Sequence, residues 1–204
     1  MSAQISLQPM ATTNAQGLFN TNSAGFTQGD AQDDPAVKFA LAGGVLSTSA
    51  TTPIWGGIPI SELIPSAAAQ PGTNTLGSTV IQASSVANST GICVYNQAFG
   101  GITTPQSSAP LFSPGMSVNF YRFGSGARIP LPIDPALVSL DGGLVSQPVA
   151  WDFSTNQIVA YVSGAAFPVK ILQISTVGNK LVSYDGTSGN ANWSNTGALA
   201  VCLI

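Results

Sequence analysis

The sequence predicts an all-β protein with an extended N-terminal arm. From about residue 36 onward, short apolar stretches alternate with Gly, Asn and Ser turn signals. They recur at roughly the spacing of a β-sandwich or β-barrel. No long stretch carries a helical period. Residues 1–35, by contrast, are rich in Ala, Gln, Asn, Thr and Gly and have little apolar periodicity. At 204 residues the chain fits one domain plus an appendage, or two small domains. The division drawn here is an arm over 1–35 and a single all-β body, sandwich or barrel, over 36–204.

The arm ends in "QGDAQDDP", where Asp30, Asp33 and Asp34 form the one acidic cluster before Pro35. Such a segment cannot bury enough apolar area to pack alone. It is expected to order on a neighbouring subunit, with "AQISLQP" adding a strand to another sheet. Leu18, Phe19 and Phe26 would anchor the rest.

In the body, "VKFALAGGVLS" reads as a strand interrupted by a bulge at Gly43-Gly44. "IPISELIPSAAAQP" has room for one helical turn between its prolines. "STVIQASSVA" and "TGICVYNQA" suggest a hairpin about Asn88-Ser89. In "GMSVNFYRFG" the alternation puts Met116, Val118 and Phe120 on one face and Asn119 and Tyr121 on the other. "QPVAWDFSTNQIVAYVSG" predicts a hairpin turning at Ser154 to Asn156, and "FPVKILQISTVGNKLVSYDG" another turning at Gly178-Asn179. "ALAVCLI" closes the chain as a buried strand. Two long stretches look irregular but rigid. They are "GGITTPQSSAPLFSPG" and "GARIPLPIDPALVSLDGG", whose prolines fix φ and break strands.

Composition excludes several functions. Only 6 % of residues are charged, against about 25 % in an average soluble domain. A surface built from Ser, Thr, Asn, Gln and Gly repels neighbours weakly and suits close contact in an assembly. The five cations, Lys38, Arg122, Arg128, Lys170 and Lys180, are scattered. No set of them converges on phosphates, so direct nucleic-acid binding is not expected. No apolar run reaches the roughly 18 residues that span a bilayer, and the N-terminus lacks the features of a secretory signal. The chain is therefore expected to be made in a cytoplasm, without a membrane partner.

The chain contains no histidine. This removes the commonest general base, metal ligand and partner of a nucleophilic serine or cysteine. Glu62 is the sole glutamate, and Asp134, Asp141, Asp152 and Asp185 sit near turns. No carboxylate pair, Asp-x-Asp calcium spacing or phosphate loop emerges. Cys93 and Cys202 each lie in an apolar strand and read as buried thiols, an interstrand disulfide being the alternative. No enzyme, cofactor or metal is expected. The sequons at Asn88 and Asn192 read as chance in so Asn/Ser/Thr-rich a chain.

What remains is the stretch from Ser117 to Gly143. It holds Arg122, Arg128, Asp134 and Asp141, four of the chain's 5 + 8 = 13 charges. Arg128 paired with Asp134 or Asp141 would shape the loop or cross a subunit boundary. An arginine is a typical interface anchor. Trp55, between Pro53 and Gly56-Gly57, is either an exposed anchor or a core residue, and Trp151 and Trp193 are expected half-buried in strands. The candidate interface set is thus Arg122, Arg128, Asp134, Trp55, Phe19 and Phe26.

"FALAGGVLSTSATTPIWGGIPISELIP", "MSVNFYRFGSGARIPLPIDP" and "WDFSTNQIVAY" resemble the capsid cement, or decoration, proteins of tailed bacteriophages. The resemblance runs from about residue 36 to the end. It implies a barrel or jelly-roll-like body, often trimeric, seated on the outer face of a DNA-filled head where capsomers meet. The major capsid protein and further copies of the chain would be its partners. It carries over no individual functional residues. A glycan-gripping adhesin or tail-associated module is the competing expectation, with Trp55, Tyr95, Asn96 and Gln97 as its nearest sugar platform.

Overall fold

The computed structural model describes residues 37, 39–63, 78–94, 111–175, 181–185, 187–188, 190–194 and 197–204. The arm, with its Phe19 and Phe26 anchors, lies outside the described residues, as do Gly178-Asn179 and Tyr95 to Gln97. Strands account for nearly all the regular structure, as the alternation predicts, and they form a closed barrel beside a five-stranded sheet.

The barrel is built from β1 (Leu41–Leu46), β2 (Pro59–Leu63), β3 (Ser78–Gln82), β4 (Gly91–Val94) and β5 (Ser117–Arg122), in the order β1-β3-β2-β4-β5 with β5 closing on β1. Within the barrel only β1 and β3 pair in parallel. Successive side chains on a strand point to opposite faces. Leu46, Ile60, Val80, Cys93, Val118 and Phe120 therefore fill the interior with Ile54, Trp55, Ile58 and Phe112 from the connections.

Three expectations change here. The glycine pair makes no bulge, since β1 runs in unbroken register against β5 from Leu41 to Val45. A Cβ on Gly44 would run into the Ser78 carbonyl oxygen and crowd Phe120, so the bare backbone lets β3 approach. The Asn88-Ser89 hairpin does not form. β3 and β4 lie on either side of β2, separated along the chain by a 3₁₀ turn at Val86–Asn88. In place of a helical turn, Pro59 to Leu63 form β2, with Pro59 as its first residue. That is where a strand tolerates proline. The rest of that segment lies outside the described residues.

The second sheet contains β6 (Arg128–Ile133), β7 (Val149–Asp152), β8 (Gln157–Ala160), β9 (Lys170–Ser175) and β12 (Ala198–Leu203), ordered β7-β8-β6-β12-β9. β12 is buried and near the middle, as "ALAVCLI" predicts. β7 and β8 make the predicted hairpin, with Asp152 opposite Gln157. Its turn ends at Asn156, the one described non-glycine residue with positive φ, at 54°. Asparagine is among the few side chains that tolerate this region. The 170–185 hairpin, however, is not observed. β9 pairs with β12, and β10 (Leu181–Asp185) pairs with β11 (Asn190–Ser194) in a separate two-stranded ladder.

The stretch that looked strand-breaking contains β6. Arg128, Pro130 and Pro132 alternate with the fully buried Ile129, Leu131 and Ile133. In an antiparallel ladder every second residue turns its N–H away from the partner. Pro130 and Pro132 sit opposite Val201 and Leu199 at such positions, so their missing donors are not required by β12. On the other side β6 meets β8 only at Ile133. The prolines thus line the side of the strand that has the least pairing to lose. After β6, a 3₁₀ turn over Pro135–Leu140 follows.

Barrel and sheet share a core. Ile92 and Val94 of β4 and Tyr121 of β5 point outward from the barrel into the cluster formed by Ile129, Leu131, Ile133, Trp151, Ile158, Phe167, Ala200 and Cys202. Tyr121, on the face that alternation gives it with Asn119, is fully buried there. Met116, grouped with the core face, precedes β5 and is half exposed. Backbone bonds from Gly126 N to Ile204 O (2.8 Å) and from Ile204 N to Ala127 O (2.9 Å) pin the chain end to the β5–β6 turn. Gln82 of the barrel donates to Asn156 Oδ1 of the β7–β8 turn at 3.2 Å.

Candidate functional surface

One end of the barrel is closed by polar side chains. Glu62, Ser78 and Arg122 lie two residues beyond Ile60, Val80 and Phe120, hence on the inward face at the barrel rim. Arg122 Nε donates to Glu62 Oε2 at 2.8 Å, and Nη2 donates to Oε1 at 2.7 Å. Ser78 Oγ donates to the same Oε1 at 2.8 Å. The guanidinium carbon also stands 5.5 Å from the Phe120 ring centroid. A fork-to-fork pair of this kind orients both groups as well as attracting them. It spans β4 at Gly91, where a Cβ would run into the Tyr121 carbonyl oxygen.

The electrostatics follow from those contacts. The Arg122 hydrogen bonds hold the Glu62 carboxyl below its ordinary range against the opposing effect of burial, with Ser78 adding to the lowering. Arg122 is shifted upward in turn by Glu62. With both groups mutually satisfied, this rim is a latch on the barrel mouth. Sequence reasoning singled out Arg122 and missed Glu62 as its partner. Its only signal was that it is the chain's single glutamate, at a position where β2 should face inward.

The other candidate residues are placed elsewhere. Trp55 is inside the barrel at 7 % exposure, so it is a core residue and cannot serve as a sugar platform. Arg128 is exposed at the start of β6 and Asp134 follows the strand's last residue. At about 3.3 Å per residue they are about 20 Å apart, too far for the expected Arg128–Asp134 pair. Asp134 instead caps the 3₁₀ turn, accepting from Ala136 N at 2.9 Å. Trp151 is buried rather than half-buried, stacked near Phe167 at 5.0 Å, and its indole N–H meets no acceptor. Trp193 lies on β11.

The two cysteines occupy different cores, Cys93 the barrel and Cys202 the sheet, and both are free thiols. No disulfide joins them. Burial pushes both thiols far up from their ordinary range. Among the described residues no group of three or more His, Cys, Asp or Glu could hold a metal ion, and no helix is long and apolar enough to cross a membrane.

Apolar side chains are also exposed. Leu144, Val145 and Val162 are 75, 45 and 87 % accessible. They sit on the connections that enter β7 and leave β8, and Val149 pairs with Ala160, so both connections depart from one end of that hairpin. Phe39, just before β1, is also exposed.

Comparison of the chain with known protein families, with curated proteins and with solved structures finds no match in any of the three.

Proposed function

We propose that this chain is a structural, non-enzymatic virion protein. In this reading it binds the outer surface of a bacteriophage head at capsomer junctions, as a homo-oligomer, and stabilises the expanded, DNA-filled shell. The observation that carries the reading is the character of the described surface. Large apolar side chains stand exposed at Leu144, Val145 and Val162, and the one clustered set of charged groups, at the barrel rim, is internally paired. Such a surface offers shape and area to a protein neighbour. The resemblance of the three body segments to decoration proteins supports the same reading.

A cement works by binding the expanded lattice better than the precursor shell, so that its binding free energy shifts the equilibrium toward the mature form. Contacts poor in charge keep their strength as salt rises. The test is co-sedimentation of the purified chain with expanded heads stripped of it, using precursor heads as control. Saturable binding to expanded heads alone, with DNA retained to higher temperature, is the expected result. Binding to neither shell overturns the proposal.

A further inference from the structure

Only two side chains on the five barrel strands carry charge, Glu62 of β2 and Arg122 of β5. They bind each other across the seam where the barrel is least well joined. The β2–β4 register is two pairs long, Pro59 with Ile92 and Ile60 with Gly91. The other four barrel seams have three to five pairs.

The far end of this short ladder is built from side chains. Pro59 has no N–H, and its carbonyl accepts from Ala83 N, just past β3, at 2.9 Å. Gly57 N donates to Cys93 O at 2.7 Å and Thr90 N to Ile60 O at 2.8 Å, one at each end of the ladder. Were the register continued, Ser89 would stand opposite Glu62. Ser89 N instead donates back to Val86 O of the 3₁₀ turn at 3.1 Å. Glu62 N donates to the Thr90 hydroxyl at 3.0 Å, and that hydroxyl donates to Ile60 O at 3.2 Å. Beyond Ile60, β2 is thus held toward β4 and β5 by the Thr90 hydroxyl and by the Arg122 fork that passes over Gly91.

Local openings follow the weakest contacts, and a strand end held by side chains yields before one held by a long backbone ladder. The Arg122 and Glu62 side chains are 55 and 19 % exposed, so water and protons reach the pair. Facing Glu62 are Arg122 from β5, Ser78 from β3 and Thr90 from the turn before β4, and only Arg122 of these is charged. The other titratable groups on the barrel strands, Cys93 and Tyr121, are fully buried and neutral in acid.

We propose that the barrel opens at the β2–β4 seam and that the Glu62–Arg122 pair is the latch that holds this seam shut. Opening there parts Pro59–Leu63 from β4 and brings Ile58, Ile60 and Cys93 of the barrel interior to solvent. Acid is the release. Protonation of Glu62 takes away the anion that the Arg122 fork grips, so the latch is intact above the unfolded value of 4.5 and is lost as pH falls through the lower folded value.

The experiment is amide hydrogen exchange on the full chain, read residue by residue by NMR and corrected for intrinsic rates. At about pH 7 the Gly57, Thr90 and Cys93 amides should exchange at least about tenfold faster than those paired between β1 and β5. Arg122→Ala should speed these three amides about fivefold. In the native chain their protection should fall by a similar factor in acid, and in Glu62→Gln it should not. Asp152, the other carboxyl with a lowered pKa, lies at the β7–β8 turn, outside the seam. Seam amides no faster than the β1–β5 amides would mean that no separate opening exists, and would overturn the proposal. So would faster exchange that neither Arg122→Ala nor acid alters, because the pair would then hold nothing at that seam. Should a variant fail to fold, the pH series on the native chain still decides both points.

Discussion

Glu62 and Arg122 show how much of a polar contact depends on where the strands place it. Arg122 is 55 % exposed in its side chain and Glu62 19 %, so the pair is partly screened. Arg122→Ala is expected to lower the unfolding free energy by about 1 kcal/mol, measured by urea denaturation. The sign of the pH effect follows from the lowered Glu62 pKa. A depressed carboxyl contributes stability that is present above its unfolded value, near 4.5, and is lost as pH falls through the folded value. Glu62→Gln should therefore flatten the stability profile below about pH 4.5, and an unchanged acid limb would refute the assignment. Asp152 acts in the same direction. Hydrogen bonds from Ser154, then Thr155, bring its pKa down to about 2, and its share is lost as pH falls from about 4 toward 2. Gly44 tests packing instead of charge. Gly44→Ala puts a methyl against a backbone oxygen that cannot yield as a side chain tip would. It should cost more than about 2 kcal/mol in thermal or urea unfolding.

Among the elements, β6 is the most instructive. Arg128–Ile133 carries a strand's alternation in its sequence, with Ile129, Leu131 and Ile133 at every second place. Two prolines outweighed that pattern because proline usually ends a strand. What decides the matter is which side each missing N–H faces, and this depends on β12, seventy residues away. Pro130→Ala with Pro132→Ala should keep the strand and cost about 1 kcal/mol, chiefly by loosening the unfolded chain. Urea titration reads the loss, and a gain in stability would count against the argument. The same limit explains the mistaken hairpins. The β7–β8 turn was legible because its signal is local, ending at Asn156 with Asp152 and Gln157 paired around it. The pairing of β3 and β4 with β2, and of β9 with β12, rests on packing between distant segments. The Glu62–Arg122 latch was hidden for the same reason, its partners being 60 residues apart.

For the molecule as a whole, β5 joins two cores. Val118 and Phe120 face the barrel interior while Tyr121 enters the sheet cluster, so neither core is complete without this strand. The two units are expected to unfold together. Cys93 and Cys202 report on each separately, since one lies in each core. Both should be inert to a thiol reagent in the native protein and should become reactive with the same midpoint in denaturant. Two well-separated midpoints would show that barrel and sheet open independently. The all-β architecture was legible from alternation and turn residues. Its division into barrel and sheet was not, because the strands of each are apolar on faces that only the assembled layers distinguish.

The ladder order also bears on how the molecule is made. β1 is closed on one side by β5, eighty residues later, as Leu41 meets Tyr121. β12 supplies the ladder that β6 and β9 share, and it follows both in the chain. A ribosome releases these segments in order, so β1 waits for β5 and β6 waits for β12. Contacts of such long sequence separation form slowly. During translation Arg128–Ile133 and Lys170–Ser175 stay without their shared neighbour until β12 emerges. That is the interval in which a chaperone would have most to protect.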